Sequence, residues 1–70
     1  MNKAMLKSKM CLFGDTQQSL ADALHLSTGR LNAKINEYQG ASFTQDEIYA
    51  IISRYNLTSE ETMDIFFPSR

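Results

Sequence analysis

The chain has 70 residues, of which 43 % are apolar and 21 % charged, and carries a formal net charge of −1 at pH 7. A chain this short buries only about 60 % of the surface its unfolded form exposes, so it can build one thin core and no deep substrate cleft. Its composition argues against disorder throughout. The single cysteine, Cys11, excludes an internal disulfide, and the apolar run Met10-Cys11-Leu12-Phe13 is too short for a membrane helix or a signal core.

The apolar spacing is helical almost throughout, and no stretch alternates long enough to make a strand. This predicts an all-α chain of five short helices in one domain over residues 1–70. Leu6, Met10 and Phe13 form the buried stripe of the first helix, which ends at Gly14. A second helix, about residues 17–24, is capped by Thr16 and buries Leu20, Ala21 and Leu24. A third, about residues 28–36, is capped by Ser27 and buries Leu31 and Ile35, with Gly40 marking the exit. Ile48, Ile51, Ile52 and Tyr55 repeat at +3, +4 and +7, the clearest amphipathic pattern in the chain. Met63, Phe66 and Phe67 continue it into a fifth helix that Pro68 must stop. Thr44-Gln45-Asp46-Glu47 and Thr58-Ser59-Glu60-Glu61 both read as capping boxes, contributing about 1 kcal/mol each. Helices of this length are marginal alone, so packing must hold them.

Charge is unevenly spread. Lys3, Lys7 and Lys9 make the front basic, whereas Asp46, Glu47, Glu60, Glu61 and Asp64 make the back acidic. The overall acidity (pI near 5.6) is not that of a general nucleic-acid binder. The informative segment is residues 16–36. Two short helices joined by about three residues must cross steeply, as in a helix-turn-helix, and Ala21 suits the point of closest approach. On a helical wheel Leu31 and Ile35 point inward. Gly29, Arg30, Ala33 and Glu37 then face out, flanked by Asn32, Lys34 and Asn36. Short, polar or cationic groups at the front of such a helix can reach base edges and phosphates, and Gln17 can meet a phosphate from the preceding helix.

The run Thr16-Gln17 … Leu20-Ala21 … Leu24 … Leu26-Ser27 … Leu31-Asn32 … Ile35-Asn36 resembles the Cro/CI-type helix-turn-helix of phage repressors. Phe43-Thr44 … Glu47-Ile48 … Ile51 … Tyr55-Asn56-Leu57-Thr58 … Glu61 … Ile65-Phe66-Phe67 resembles the short regulators of temperate phages of Gram-positive bacteria. Within these, the chain is most similar to the small modulator-of-repression (antirepressor) proteins of lactococcal phages, over residues 3–67. The resemblance implies a five-helix Cro/CI (lambda repressor-like) domain with the helix-turn-helix at about residues 17–36. It further implies a transcriptional regulator of the lysis–lysogeny switch, working in the cytoplasm of a bacterial host. Such a protein forms a complex with the N-terminal domain of a CI-type repressor and modulates its operator binding. In the family's pattern Gln17 and Asn36 match phosphate-contact positions, and Thr28, Gly29, Arg30 and Asn32 match the base-reading front; Lys34 joins them from the wheel. His25 stands where the family usually has a turn glycine, and Gly29 removes a side chain from the reading helix. The alternative is an autonomous Cro-like repressor, a homodimer that reads operator DNA itself.

Each of these residues also has a plainer reading. Arg30 and Lys34 suit any solvated helix face. Asp46, Glu47, Glu60 and Glu61 lie in first helical turns, where carboxylates favour the macrodipole. The sharper reading makes Asp46, Glu47, Tyr49, Glu60, Glu61, Asp64 and Phe67 partner-facing, docking on the basic DNA-reading face of a repressor. Ile65-Phe66-Phe67 cannot all be buried by one helix face, so either the C-terminus wraps the core or part of it meets a partner. Tyr38, Tyr49 and Tyr55 read as core-edge residues, with Tyr49 on the exposed side. Cys11 and His25 are the only soft ligands or nucleophiles. With no C-x-x-C pair, second histidine or glycine-rich phosphate loop, no metal, cofactor or catalysis is expected.

Overall fold

Every helix starts on a side chain that accepts from an amide the helix itself leaves unpaired. In the computed structural model, which describes residues 1–68, α1 (Lys3–Leu12) is capped by Asn2, whose Oδ1 accepts from the Met5 amide at 3.1 Å. Thr16 caps α2 (Gln17–Ala23), Ser27 caps α3 (Thr28–Ile35), Thr44 caps α4 (Gln45–Tyr55) and Thr58 caps α5 (Ser59–Phe66). Both expected capping boxes form, through Glu47 and Glu61. A third closes at Thr16, where the Ser19 hydroxyl accepts from the Thr16 amide at 2.9 Å. The architecture is therefore all-helical with five helices, plus a single 3₁₀ turn at Tyr38–Gly40; the described residues contain no strand.

The helix ends are set as chemically as the starts. At the end of α1 the Asp15 amide donates to Met10 O (2.8 Å) and the Gly14 amide to Cys11 O (3.1 Å), with Gly14 left-handed at φ 71°. The same double closure ends α2, through Leu26 to Ala21 (2.8 Å) and His25 to Asp22 (3.2 Å). It recurs at α4, through Leu57 to Ile52 (3.0 Å) and Asn56 to Ser53 (3.4 Å). This is the Schellman closure, which needs one left-handed residue. That residue is His25 at φ 60° in the α2–α3 turn and Asn56 at φ 51° after α4. Glycine occupies such a position without the steric cost that a Cβ brings, although it loses more freedom on folding. His25 is exposed, so His25→Gly should raise stability by about 0.5 kcal/mol, read as a higher denaturant midpoint at unchanged m.

The core is one cluster drawn from every helix: Leu6 and Met10, Leu20, Ala21 and Leu24, Leu31 and Ile35, Ile51 and Tyr55, Leu57, and Ile65. Its radius of gyration, 11.1 Å, matches the roughly 11 Å expected for a compact chain of this length. Helix α5 lies antiparallel along α1: the Asn2 amide donates to Ile65 O at 2.7 Å, and Lys9 Nζ meets Glu61 Oε2 at 2.7 Å. Helix α2 packs on α3, with Ala21 fully buried as expected for the close approach.

Several apolar assignments move. Phe13 is half exposed because α1 ends there; its ring lies 5.3 Å from that of Tyr55 and covers it. Tyr55 is fully buried rather than at the core edge, Tyr38 is well exposed, and Tyr49 is exposed as expected. On α5 the buried residue is Ile65, while Phe66 is half-buried and Met63 and Phe67 face solvent. Phe66 packs edge-on against Phe43 at 6.0 Å, so the C-terminal end wraps the core only in part.

One polar cluster ties three elements together. Asp15 accepts from Arg54 Nε and Nη2 (both 2.7 Å), from the Tyr55 hydroxyl (2.7 Å) and from the Ser19 hydroxyl (2.8 Å). It thus joins the exit of α1 to the start of α2 and the end of α4. The Arg54 bonds hold the Asp15 carboxyl well below the usual carboxylate range, against the opposing effect of burial. Burial, reinforced by the Asp15 charge, pushes the Tyr55 hydroxyl far up, so it donates at any ordinary pH.

Candidate functional site

The α2–α3 unit presents the face on which most candidate residues converge. Helix α2 ends at Ala23, one residue earlier than the spacing suggested, leaving a four-residue turn, Leu24–Ser27. The turn is built rather than loose. Leu24 is buried, His25 takes the left-handed position, Leu26 packs against the core, and the Ser27 hydroxyl accepts from the Arg30 amide at 3.2 Å to start α3. Leu31 and Ile35 then anchor α3 inward, which leaves Gly29, Arg30, Asn32 and Asn36 exposed and Thr28 and Ala33 half-buried. Gln17, at the start of α2, is half-buried.

The exposed side of α3 is shallow and amide-rich. Gly29, Asn32, Ala33 and Asn36, with Tyr38 beyond the helix end, line one open hollow. A Cβ at Gly29 would meet nothing within 4 Å, so glycine is not sterically required and simply leaves the helix front bare. Asn36 folds back on its helix: its Nδ2 donates to Asn32 O at 3.0 Å while its Oδ1 accepts from Lys3 Nζ at 2.9 Å. Lys3 thereby joins this surface from α1. Sequence reading missed both Lys3 and Tyr38. Lys3 lies 33 positions from Asn36, and Tyr38 is exposed just beyond the left-handed turn at Glu37 (φ 54°) that follows α3.

Lys34 does not belong to the exposed face. Its Nζ lies 2.7 Å from Glu47 Oε1, and the two side chains retain only 10 % and 14 % of their accessible surface. The wheel placed Lys34 on the flank, and its aliphatic stem lets it follow the core side of α3 towards α4. Glu47 is corrected for the same reason. Its Oε1 accepts from both Lys34 and the Thr44 amide (2.9 Å), so it is an internal strut and not a partner-facing acid. Burial pushes the Glu47 carboxyl up, but the bonds from Lys34 and Thr44 outweigh it and the group sits below its ordinary value. Glu61 is likewise engaged. Lys9, followed by the Thr58 amide, lowers its pKa, and it is half-buried against α1. Asp46, Tyr49, Glu60 and Phe67 are exposed and Asp64 is half-buried.

The candidate partner residues Asp46 and Phe67 line different hollows. Asp46 and Glu47 line a hollow with Ala23, Leu24, His25 and Ala50, beside the α2–α3 turn. Phe67 lines a different groove with Phe43, Ile48 and Phe66, near Lys34 and Glu37. Among the described residues no three of His, Cys, Asp and Glu gather as metal ligands would, and no helix is long and apolar enough to cross a membrane. Comparison of the chain with protein-family models, curated proteins and solved structures returns no match.

Proposed function

We propose that the chain is a small phage-type transcriptional regulator with a Cro/CI-like helix-turn-helix at α2–α3. In this reading it acts by forming a complex with the N-terminal domain of a CI-type repressor and altering that repressor's grip on operator DNA. One observation carries the reading: Lys34 is drawn inside the domain by Glu47. Of the basic side chains on α3, only Arg30 stands exposed and without a side-chain partner among the described residues. DNA affinity comes largely from neutralised phosphates, and a face with so few free cations has little of that contribution. The exposed Asp46 and Glu60, with the apolar surfaces of Tyr49 and Phe67, suit a basic protein partner instead. The test is size-exclusion chromatography of the chain mixed with the repressor domain, followed by gel shifts with each protein alone and with both. Co-elution, and an operator shift that changes only when both are present, is the expected result. Separate elution overturns the proposal.

A second reading has its own support. Arg30 is exposed in the first turn of α3, near Thr28 and Asn32, and an arginine at the front of an exposed helix supports base reading. An autonomous Cro-like repressor would shift operator DNA unaided, with affinity falling steeply with salt, and Arg30→Ala would abolish that shift.

A further inference from the structure

Arg30 and Lys34 stand four residues apart on α3, yet one is exposed and the other is buried against α4. Lys34 lies on the flank of α3, and there its ammonium meets the Glu47 carboxylate at 2.7 Å. We propose that Glu47 holds α3 back from nucleic acid: by keeping Lys34 inside the domain, it leaves the face too weakly cationic to grip a phosphate backbone. This inference takes from the preceding section only that the exposed side of α3 is the face nucleic acid would meet.

The geometry makes Glu47 the fixed member of the pair. It is the third residue of α4, and its Oε1 is already held by the Thr44 amide at 2.9 Å, so the carboxylate stays where the capping box puts it. Lys34 is the member that can move, because its four-carbon stem allows the ammonium to reach either the interior or solvent. A lysine ammonium stays at low exposure only while an anion compensates for its lost hydration. Remove the negative charge and water draws the ammonium out, on the flank next to Arg30. The nearest carboxylate further along the chain, Glu37, is already met by the Met1 ammonium at 3.0 Å. With Lys3 at the far end of α3, the face would then present Lys3, Arg30 and Lys34.

The experiment uses the full chain and a duplex of about 30 base pairs of arbitrary sequence, with no repressor present, titrated by fluorescence anisotropy between 50 and 200 mM salt. Glu47→Gln keeps an amide oxygen for the capping box, and circular dichroism confirms that each variant is folded. The expected result is about five- to tenfold tighter binding at the low-salt end and a salt slope steeper by about 0.9, one extra phosphate contact. Two double variants of equal net charge separate a freed lysine from a general charge effect. Glu47→Gln with Lys34→Met should return to the parent slope. Glu47→Gln with Lys9→Met should keep the gain, because Lys9 is tied to Glu61 on α5. A folded Glu47→Gln variant with the parent's slope, or a gain that survives the loss of Lys34, overturns the proposal. Failure of the chain to co-elute with a repressor would count against the functional reading and leave this result untouched.

Discussion

Asp15→Ala should cost about 2–3 kcal/mol at pH 7, a large share of the stability a 70-residue domain possesses. The loss has two parts. The Tyr55 hydroxyl, whose ring is buried, is left without its acceptor, and such a group retains its desolvation penalty in full. Arg54 loses a two-pronged carboxylate, but its side chain is 35 % exposed, so water replaces much of that interaction and the total stays below that of a fully buried pair. Urea unfolding at pH 7 measures the effect. A variant within 0.5 kcal/mol of the parent, on the order of an ordinary surface change, would show that the cluster is not a strut. The pH dependence has a definite sign. The folded-state pKa of Asp15 is depressed, first by the Arg54 bonds, so its contribution is fully present above the unfolded value near 4 and is lost as pH falls below it towards the folded value. Parent and Asp15→Asn stabilities should therefore converge as the solution is acidified below about pH 4.

Leu31→Ala should be at least as damaging, at about 3 kcal/mol. Leu31 is fully buried, and removing a buried leucine side chain costs the transfer of its methyl groups plus the void they leave. A core this thin offers few neighbours to collapse into that void. The consequence is local as well as global, because Leu31 and Ile35 are the only fully buried apolar anchors of an eight-residue helix. Amide hydrogen exchange should show α3 losing protection before the α1–α5 pair does. A change under 1 kcal/mol, with α3 still protected, would mean that the helix is held by something other than its buried side.

The helices and their boundaries were legible because their signals are local. Thr16, Ser27, Thr44 and Thr58 act within three residues of themselves, and Gly14 sits where its left-handed backbone is needed. Likewise Leu20, Ala21, Leu24, Leu31 and Ile35 are buried as their spacing implied. The errors share one cause: a helical wheel gives a direction from the axis but not the identity of the neighbouring helix. Lys34 lies on the flank of α3, and only the approach of α4 shows that a carboxylate waits there. Phe13 follows the stripe of α1 but falls at its C-cap, where it covers Tyr55 from outside. The meeting of Asp15 with Arg54 and Tyr55 spans 39 and 40 positions, and no local pattern announces it. Of the candidate face, the exposure of Gly29, Arg30 and Asn32 was foreseeable. The withdrawal of Lys34 and the arrival of Lys3 were not.

Helix starts and stops written into neighbouring residues have a kinetic corollary. Each of the five segments can sample its own turn geometry before any distant partner is found, so little chain entropy is spent on closing long loops ahead of the first gain in energy. Helical chains with mostly short-range contacts refold in microseconds to milliseconds. The longest loop to close is the one that brings α1 to α5, the pair of helices furthest apart along the chain.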